Sequence, residues 1–356
     1  MKTSTYLKVT IIGTLALLIG FAAVNIYIDP LFHFHDRTKG IEYPLWDERY
    51  MNDGIVRHFD YNAILTGTSM SENFKTSIFD ERFGTKSIKV PFSGGTYKEV
   101  NDLLKQAYHQ KKNLLYVVRT IDPTMLIMEK DDMDYTDYPD YLYDHNPFND
   151  VNYVLNKEIF FKFTEYVHTF MSLGGKSTDF DTYKNWSYTY PCDGNAVYNE
   201  HVRRKVKEQR ILTDEDVRLM MGNLEQNVVR LAVEHPETQF YLVVPPYSIC
   251  YFDDLYRSGE LEYTFDAWEE AYRYLISYNN INLFAYYNET AIIEELGLYK
   301  DKLHYGQNVS DLLIESLAIN LDKITNDTID DYMSFIRDYY TNFDYDSYFS
   351  GCEEEE

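Results

Sequence analysis

The sequence predicts an α/β fold in which a parallel sheet is covered by helices on both faces. Five short apolar runs are nearly continuous rather than alternating, as expected for strands buried on both sides. Longer segments with helical spacing separate them, and this alternation of strand and helix indicates a parallel sheet. The strand candidates are Ala63–Thr68, Ser87–Phe92, Asn113–Thr120, Gln239–Pro245 and Ile281–Tyr287.

The helix candidates between these strands carry apolar residues every three or four positions. The pattern is clearest in Asp214–His235, where Thr213 is a suitable N-cap and acidic residues fill the first turn. Shorter signals predict a helix that leads into the domain and another close to its end. The remaining candidates are Glu48–Phe59, Thr96–Gln110, Thr264–Tyr278 and Ser310–Leu321.

A charge-free stretch, Val9–Ile28, precedes the domain. Twenty helical residues at about 1.5 Å each span roughly 30 Å, the thickness of a bilayer core. Lys2 and Lys8 come before it and favour a cytoplasmic N-terminus over residues 1–8. A cleaved signal peptide is the alternative, but the stretch is long and lacks a clean cleavage site. We therefore expect an uncleaved signal-anchor with the C-terminal domain outside the membrane.

The charge balance excludes one class of partner. There are 58 acidic and 33 basic residues, a formal net charge of −25. Such a surface repels nucleic acid, so no nucleic-acid partner is expected. The 35 tyrosines suit a sugar-handling surface, because each ring has an apolar face and a polar tip, but compositional bias explains them equally.

The cysteines and histidines predict neither a disulfide framework nor a metal site. Three cysteines leave room for one pair, Cys192 with Cys250, which nothing in the sequence requires. His33 and His35 alternate beyond the apolar stretch without further ligands nearby. We expect no metal and no organic cofactor.

The predicted domain covers residues 61–322 and follows a juxtamembrane segment over residues 29–60. Residues 123–211 interrupt it after the third strand and begin with an acidic Tyr/Asp run. A structureless loop of that length is unusual, so we predict a large, mostly helical insertion or lid. Residues 323–356 are acidic and aromatic, and they predict one or two helices followed by a frayed tail.

Three separate pieces point to chemistry. Ser69 closes the first strand, "PFSGGTYKE" closes the second with Gly94 and Gly95, and Asp301 precedes His304 by three residues. Acyl transfer needs a base to activate a serine, a carboxylate to orient that base, and unhindered backbone donors for the oxyanion. The ends of parallel strands open on one edge of a sheet, so these loops can meet there.

These residues resemble the SGNH (GDSL-like) hydrolase and acyltransferase family in Gly67-Thr68-Ser69, Ser93-Gly94-Gly95 and Asp301-Lys302-Leu303-His304. The resemblance implies a three-layer α/β/α, flavodoxin-like fold with a parallel five-stranded sheet. It also implies that Ser69 is the nucleophile, His304 the base and Asp301 its partner. Ser93, Gly94 and Gly95 would then surround the oxyanion. With one N-terminal anchor, the layout is most similar to the membrane-tethered branch that includes the DltD and alginate-acetylation proteins.

The chain departs from the family pattern after the third strand. The family has G-x-N-D there, whose asparagine is an oxyanion donor, whereas this chain has "VVRTIDP". Arg119 or Thr120 is the candidate replacement donor. Loss of one such donor typically costs about 100- to 1000-fold in rate.

The resemblance implies a serine acyl-transfer enzyme, an esterase or O-acyltransferase, in the cell envelope of a Gram-positive-type bacterium. Its partners would be an envelope polysaccharide or acylated polymer and a membrane-bound O-acyltransferase. The tyrosine-rich insertion would form a lid or glycan platform. Two alternatives stay open: a non-catalytic module that binds glycan or a membrane acyltransferase, and a lipase or lysophospholipase.

Overall fold

The computed structural model describes residues 3–110, 113–135, 139–144 and 146–352. Its centre is one sheet of six strands in the order β2-β1-β3-β4-β5-β6. The first five strands are parallel, and β6 pairs antiparallel with β5. The strands are β1 Ala63–Gly67, β2 Ser87–Pro91, β3 Tyr116–Thr120, β4 Gln239–Val244, β5 Ile281–Ala285 and β6 Lys323–Ile324.

The five parallel strands lie where the sequence predicts them, but the sheet has one strand more than the predicted five. The added strand β6 has only two residues and forms an edge. Asn320 and Asp322 both adopt left-handed backbone (φ +54° and +58°), which turns the chain back along β5. A two-residue antiparallel edge has no apolar run, so the pattern that reveals the other strands does not reveal it.

Helices make up most of the rest of the described chain. Numbered along the chain, they are α1 Thr3–Ile28, α2 Glu48–His58, α3 Thr76–Phe83, α4 Tyr97–Gln110, α5 Asp140–Tyr143, α6 Val151–Val154, α7 Glu165–Ser172, α8 Gly194–Glu200, α9 Asp214–Leu224, α10 Arg230–Glu234, α11 Ile249–Ser258, α12 Leu261–Ile276, α13 Thr290–Ile293, α14 Gln307–Ile319, α15 Ile329–Thr341 and α16 Tyr345–Tyr348. Two π-helical stretches, Ile159–Thr164 and Glu225–Val229, lead into α7 and α10.

The predicted helix over Asp214–His235 is a single helical run of α9, the π-helical stretch and α10. Its start is a capping box, in which Thr213 accepts from the Asp216 amide and Asp216 accepts from the Thr213 amide. The predicted tail is helical through α15 and α16, and its last four residues, Glu353–Glu356, lie outside the described residues.

The strand order makes the sheet doubly wound. The chain moves from β1 outward to β2 and then back across β1 to β3. Because parallel crossovers are right-handed, the connections through α3 and α4 lie on opposite faces. The helix contacts agree, since α3 packs with α14 while α4 packs with the Glu225–Val229 stretch. The loops after β1 and β3 therefore diverge and leave a crevice at the carboxyl edge, where such sheets bind ligands.

The chain divides into two compact units. One combines residues 1–60 with residues 136–179, and the other combines residues 61–135 with residues 180–356 and contains the sheet. The segment predicted as one insertion, residues 123–211, is thus divided between them. Its middle part clusters with the N-terminal residues, whereas its two flanks cluster with the sheet.

In the first unit, Ser4–Ile28 is the one helix of the described chain that is long and apolar enough to cross a membrane. Asp29 ends it and is fully buried. Its carboxylate accepts hydrogen bonds from the backbone amides of His33, Phe34 and His35. His33 pairs through Nε2 with Asp150 at 3.0 Å, whereas His35 Nε2 lies 2.8 Å from the Ile26 carbonyl.

The predicted option of a Cys192–Cys250 disulfide is not realised. Cys192, Cys250 and Cys352 are all free. The Cys192 thiol instead donates to the Leu298 carbonyl at 3.3 Å. Cys250 is fully buried on α11.

Candidate active site

The turn after β1 explains why the strand ends in Gly-Thr-Ser. Gly67 has φ +136°, and a Cβ there would lie 2.0 Å from Thr120 Oγ1, so only glycine fits against β3. The Thr68 amide donates to that same Thr120 hydroxyl at 3.1 Å. Thr68 then caps a single 3₁₀ turn, Ser69–Ser71, by accepting from the Met70 amide. Ser69 therefore opens a tight turn at the crevice with its side chain part-exposed.

The loop before α14 is a short hairpin that carries the histidine. Tyr299 and Tyr305 form an antiparallel bridge, and the Lys300 amide donates to the His304 carbonyl at 2.9 Å. Asp301 Oδ1 accepts from the amides of Leu303 and His304, both at 2.9 Å. The Asp-x-x-His spacing is thus a turn in which the carboxylate organises the backbone that presents the imidazole.

Both flanks of the hairpin are fastened to the carboxyl edge of the sheet. The Tyr305 hydroxyl donates to the Met70 carbonyl at 2.9 Å, one residue beyond Ser69. On the other side, the Ser248 hydroxyl donates to the Lys302 carbonyl at 2.8 Å. Residues far apart in sequence are therefore held in one fixed relationship.

The structure brings Ser69, His304 and Asp301 into one continuous relay. Ser69 Oγ lies 2.8 Å from His304 Nε2. The opposite ring nitrogen, Nδ1, lies 2.9 and 2.8 Å from the two carboxylate oxygens of Asp301. With a proton on Nδ1, the carboxylate accepts and Nε2 is free to take the serine proton, as a general base must.

Electrostatics keep the Asp301 carboxylate charged. Burial opposes the charge, but the hydrogen bond and the positive charge of His304, with two backbone amides, outweigh it and lower the pKa of Asp301 to about 2. Asp301 is consequently an acceptor throughout the physiological pH range and fixes the imidazole tautomer.

The glycine turn after β2 lies beside the serine turn, because the Phe92 amide donates to the Gly67 carbonyl at 2.8 Å. Gly95 donates its own amide to the Phe92 carbonyl at 2.8 Å, so that N–H is already used. Gly94 is exposed with φ +63°. Within the described residues, the N–H groups of Ser69 and Gly94 meet no acceptor. Of the predicted glycines, Gly94 is therefore the one with a free donor, next to the part-exposed Ser93.

The two predicted replacement donors, Arg119 and Thr120, are the last two residues of β3 and are both buried. Arg119 is buried, and its guanidinium group donates to the carbonyls of Asn227 at 2.5 Å and Tyr97 at 3.0 Å. It thereby ties β3 to the helices of one face. Thr120 points the other way and accepts from Thr68. The structure thus does not bring the Arg119 side chain to the relay.

Sequence reasoning missed a buried carboxyl group behind the serine turn. Asp122 accepts from the Thr68 hydroxyl through one oxygen and from the Tyr247 hydroxyl through the other. Burial raises the pKa of Asp122 to about 6, although the Thr68 hydrogen bond and the charge of His304 act against this. The only sequence signal is its position directly after a strand, in "TIDP".

An aromatic wall stands beside the histidine. The Trp186 ring meets the His304 ring edge-on, with centroids 6.1 Å apart. Lys300 Nζ lies over the rings of Trp186 and Tyr190, 5.1 and 4.4 Å from their centroids. Asn185 fixes this segment by donating to Gln307 at the start of α14 at 2.7 Å.

Two clefts adjoin the relay. One of 290 Å³ lies beyond the aromatic wall, between Tyr188, Tyr190 and the N-terminal end of α14. The other, of 640 Å³, begins at Lys302 and Leu303 and extends along α11 and α12. Lys302 pairs with Asp254 at 2.6 Å inside the second cleft. The residues that flank His304 in sequence thus border open clefts, although Ser69, Asp301 and His304 line neither of them.

The described residues contain no cluster of three or more His, Cys, Asp or Glu side chains arranged to hold a metal ion. The relay itself consists of one serine, one histidine and one aspartate.

No protein-family model matches the chain, and no curated protein matches it. Among solved structures, the chain is similar to one described as "a putative platelet activating factor from Streptococcus pneumonia". The two share 13% identity with a TM-score of 0.37, over 80% of this chain and 91% of that one.

Proposed function

We propose that the protein is an extracytoplasmic, SGNH-type serine esterase or O-acyltransferase that works through an acyl-Ser69 intermediate. The single observation that carries the proposal is the relay from Ser69 through His304 to Asp301. The strand order and the serine after the first strand support the flavodoxin-like, three-layer SGNH fold. The apolar helix α1 supports membrane anchoring. The proposed placement of the domain outside rests on Lys2 and Lys8 ahead of that helix.

The chemistry follows from the relay. His304 Nε2 takes the Ser69 proton as the serine oxygen attacks the acyl carbonyl, and the backbone amides of Ser69 and Gly94 receive the developing negative charge. The protonated imidazole then gives its proton to the departing alcohol. Water or an acceptor hydroxyl attacks the acyl-enzyme in the second half, again through His304, which regenerates Ser69. Transfer and hydrolysis differ only in which hydroxyl enters.

The site surroundings support a polymeric carbohydrate as one substrate. Tyr188 and Tyr190 are exposed beside the relay, and stacked aromatic rings suit the flat faces of sugar rings. The proposed acyl group is small, such as acetyl, and the two clefts bordered by residues near His304 leave room for a chain. A membrane-bound O-acyltransferase is the partner that would supply or receive the acyl group at the membrane.

The second candidate function is a non-catalytic module of the same fold that binds glycan or a membrane acyltransferase. The observation that favours it is that the Arg119 guanidinium group donates to two backbone carbonyls instead. Thr120, the other candidate, is buried against Gly67. The two candidate functions predict opposite results with a fluorophosphonate probe, which reports whether Ser69 is nucleophilic. The enzyme is labelled, and the binding module is not.

The deciding experiment treats the full chain in detergent with a fluorophosphonate probe and measures p-nitrophenyl acetate turnover. Wild type is compared with Ser69→Ala and, as a matched control, Ser71→Ala, a serine two positions away that bonds the Thr68 carbonyl. Labelling and turnover that disappear only with Ser69→Ala support the enzyme. A folded wild type as inert as Ser69→Ala would overturn the enzyme proposal in favour of the binding module.

A further inference from the structure

The outer end of helix α1 is covered by protein on one side, unlike the rest of the helix. Residues from Ser4 to Gly20 are exposed, whereas Asn25 is fully buried. The Phe160 ring stacks on Phe21 with centroids 4.7 Å apart. The contact comes from the segment that ends in α7, within the same compact unit.

Asn25 fastens this segment to α1. Its amide nitrogen donates to the Val154 carbonyl at 3.1 Å, and its oxygen accepts from the Thr164 hydroxyl at 3.0 Å. A polar side chain near the end of an apolar helix is costly in lipid unless its hydrogen bonds are satisfied. Here both ends of the amide are satisfied by one segment of the chain, which makes the contact specific.

The segment first approaches the C-terminal end of α1, then reaches deeper along it and turns back. Tyr153 donates to Asp29 and Val154 accepts from Asn25, before the chain arrives at Phe160. Phe160 meets Phe21 and Thr164 meets Asn25. Further along, three residues of the segment line an apolar cleft of 420 Å³ together with the last turns of α1; they are Val167, His168 and Met171. The beginning of the π-helical stretch, around Phe160, therefore lies nearest the middle of the anchor.

The level of Phe21 sets the depth of that beginning. Phe21 precedes the end of α1 at Ile28 by seven residues, about 10 Å along the helix. If Val9–Ile28 fills the hydrocarbon core, Phe160 lies well below the outer surface of the bilayer. Phe161, the next residue in the chain, is 63% exposed, and Leu155, one residue beyond the Val154 carbonyl that bonds Asn25, is 40% exposed. Exposed apolar side chains at this level face lipid, not water.

We propose that the segment Val151–Leu173 is a second membrane-contacting element, whose first turns insert Leu155 and Phe161 into the outer leaflet beside the anchor. The inference rests on the proposed anchoring by α1 but not on the proposed chemistry. The exposed charges of Lys157 and Glu158 at the same end confine insertion to the interface, as in monotopic elements that enter by about 5–10 Å. This segment, which we call the membrane foot, then contacts the bilayer and does not serve as a lid.

The test measures depth with nitroxide labels on the full chain in phosphatidylcholine liposomes. Single cysteines replace Phe161, Leu155 and Leu173 in a background in which Cys192 and Cys352 are serine, while Cys250 is fully buried. Collision rates with oxygen and with a water-soluble nickel chelate report whether each label lies in lipid or in water. Leu17→Cys, at a site 77% exposed on the anchor, is the lipid standard. Leu312→Cys, at an exposed leucine of the other unit (55%), is the comparison site away from the anchor.

We expect the labels at Phe161 and Leu155 to favour oxygen as the Leu17 label does, with the Leu173 label nearer to water. Labels at Phe161 and Leu155 that behave like the Leu312 label, while Leu17 reads as lipid, would overturn the membrane foot. A Leu17 label in water would instead overturn the anchor, and the foot with it. Fluorophosphonate labelling of the same samples reads the proposed chemistry separately.

Discussion

The Thr68 hydroxyl donates a hydrogen bond to the Asp122 carboxylate directly behind the serine turn. Thr68 also caps the 3₁₀ turn that Ser69 begins, and the second oxygen of Asp122 accepts from Tyr247. One buried carboxyl group thus connects the ends of β1, β3 and β4. Asp122 is a positioning residue for Ser69, since its contact to the nucleophile passes through Thr68.

We predict that Asp122→Asn lowers the acyl-transfer rate by about 10-fold without abolishing it. Asparagine keeps one acceptor oxygen, so the second hydroxyl loses the acceptor for its own proton and can only accept from the amide NH₂ group. A buried donor left without an acceptor costs about 1–3 kcal/mol. The change loosens the serine turn but leaves Ser69 and His304 in place. The measurement is fluorophosphonate labelling rate, with Thr68→Val as the partner variant. Full loss of labelling in a folded Asp122→Asn protein would contradict a positioning role.

The same carboxyl group predicts a pH dependence of stability. The pKa of Asp122 is about 6 in the folded protein and near its ordinary value of 3.8 when unfolded. The folded state holds the proton more tightly, so this contribution is fully present below about pH 4 and is lost as pH rises through 6, by up to about 3 kcal/mol. Thermal unfolding between pH 4 and 7 checks it. Asp122→Asn should lose the fall in stability that Asp122 causes as the pH rises. If the variant's stability falls with pH as steeply as that of wild type, the attribution of this dependence to Asp122 is wrong.

Asp301→Asn should be far more damaging to catalysis. The asparagine oxygen can still accept from the backbone amides of the hairpin, so the loop is retained, but its NH₂ group faces Nδ1 and favours the wrong imidazole tautomer. In Ser-His-Asp enzymes this change lowers the rate by about 10⁴-fold. The measurement is p-nitrophenyl acetate turnover beside Asp254→Asn, an acidic residue in the neighbouring cleft as control. Turnover within a few-fold of wild type would show that Asp301 forms only a surface ion pair with His304 and has no part in catalysis.

The predicted site residues that the structure brings together are Ser69, His304 and Asp301. Ser69 closes a recognisable apolar strand, and the Asp301-x-x-His304 turn precedes a recognisable helix, so topology alone brings them to one edge. The Arg119 side chain lies away from the relay. The sequence does not reveal this, because residues of a strand alternate between faces and nothing local says which face a buried arginine occupies. Asp122 was missed because its partners, Thr68 and Tyr247, are 54 and 125 residues away. The division of residues 123–211 between two units depends on such distant contacts as well.

Arg119 is predicted to act on stability and not on rate. It is fully buried and bonds two carbonyl groups, so Arg119→Lys leaves at least one of them unpaired, at about 1–3 kcal/mol. We expect a lower melting temperature with a labelling rate, per folded molecule, within a few-fold of wild type. Loss of at least 100-fold in rate from a protein that melts like wild type would restore Arg119 as an oxyanion donor.

The exposed tyrosine next to Lys300 tests the glycan platform. Tyr190→Ala removes a ring that is 53% exposed and lies 4.4 Å from the lysine ammonium. We expect unchanged turnover of p-nitrophenyl acetate, which needs only the relay. The KM for an acetylated polysaccharide should rise, because the tyrosine ring no longer stacks on the face of a sugar ring. Tyr256→Ala, an exposed tyrosine on α11, is the matched control. Equal KM values for the two variants would remove Tyr190 from the substrate surface.

Alanine substitutions at the two glycines after β2 distinguish two effects. One is the addition of a side chain, and the other is the displacement of the Gly94 N–H donor. A Cβ at Gly94 would meet only Tyr135, at 3.6 Å, although φ +63° makes the left-handed backbone cost about 1–2 kcal/mol. A Cβ at Gly95 would lie 2.7 Å from Phe92 Cβ and 3.0 Å from its carbonyl, so the turn itself must shift.

Gly95→Ala should therefore displace the Gly94 N–H and lower the labelling rate by about 100-fold, the cost of one oxyanion donor. Gly94→Ala should lower it less, because the N–H stays near its place. Labelling rates for both variants, corrected for folded fraction, decide the matter: if Gly95→Ala labels as fast as wild type, the oxyanion donor does not come from this turn.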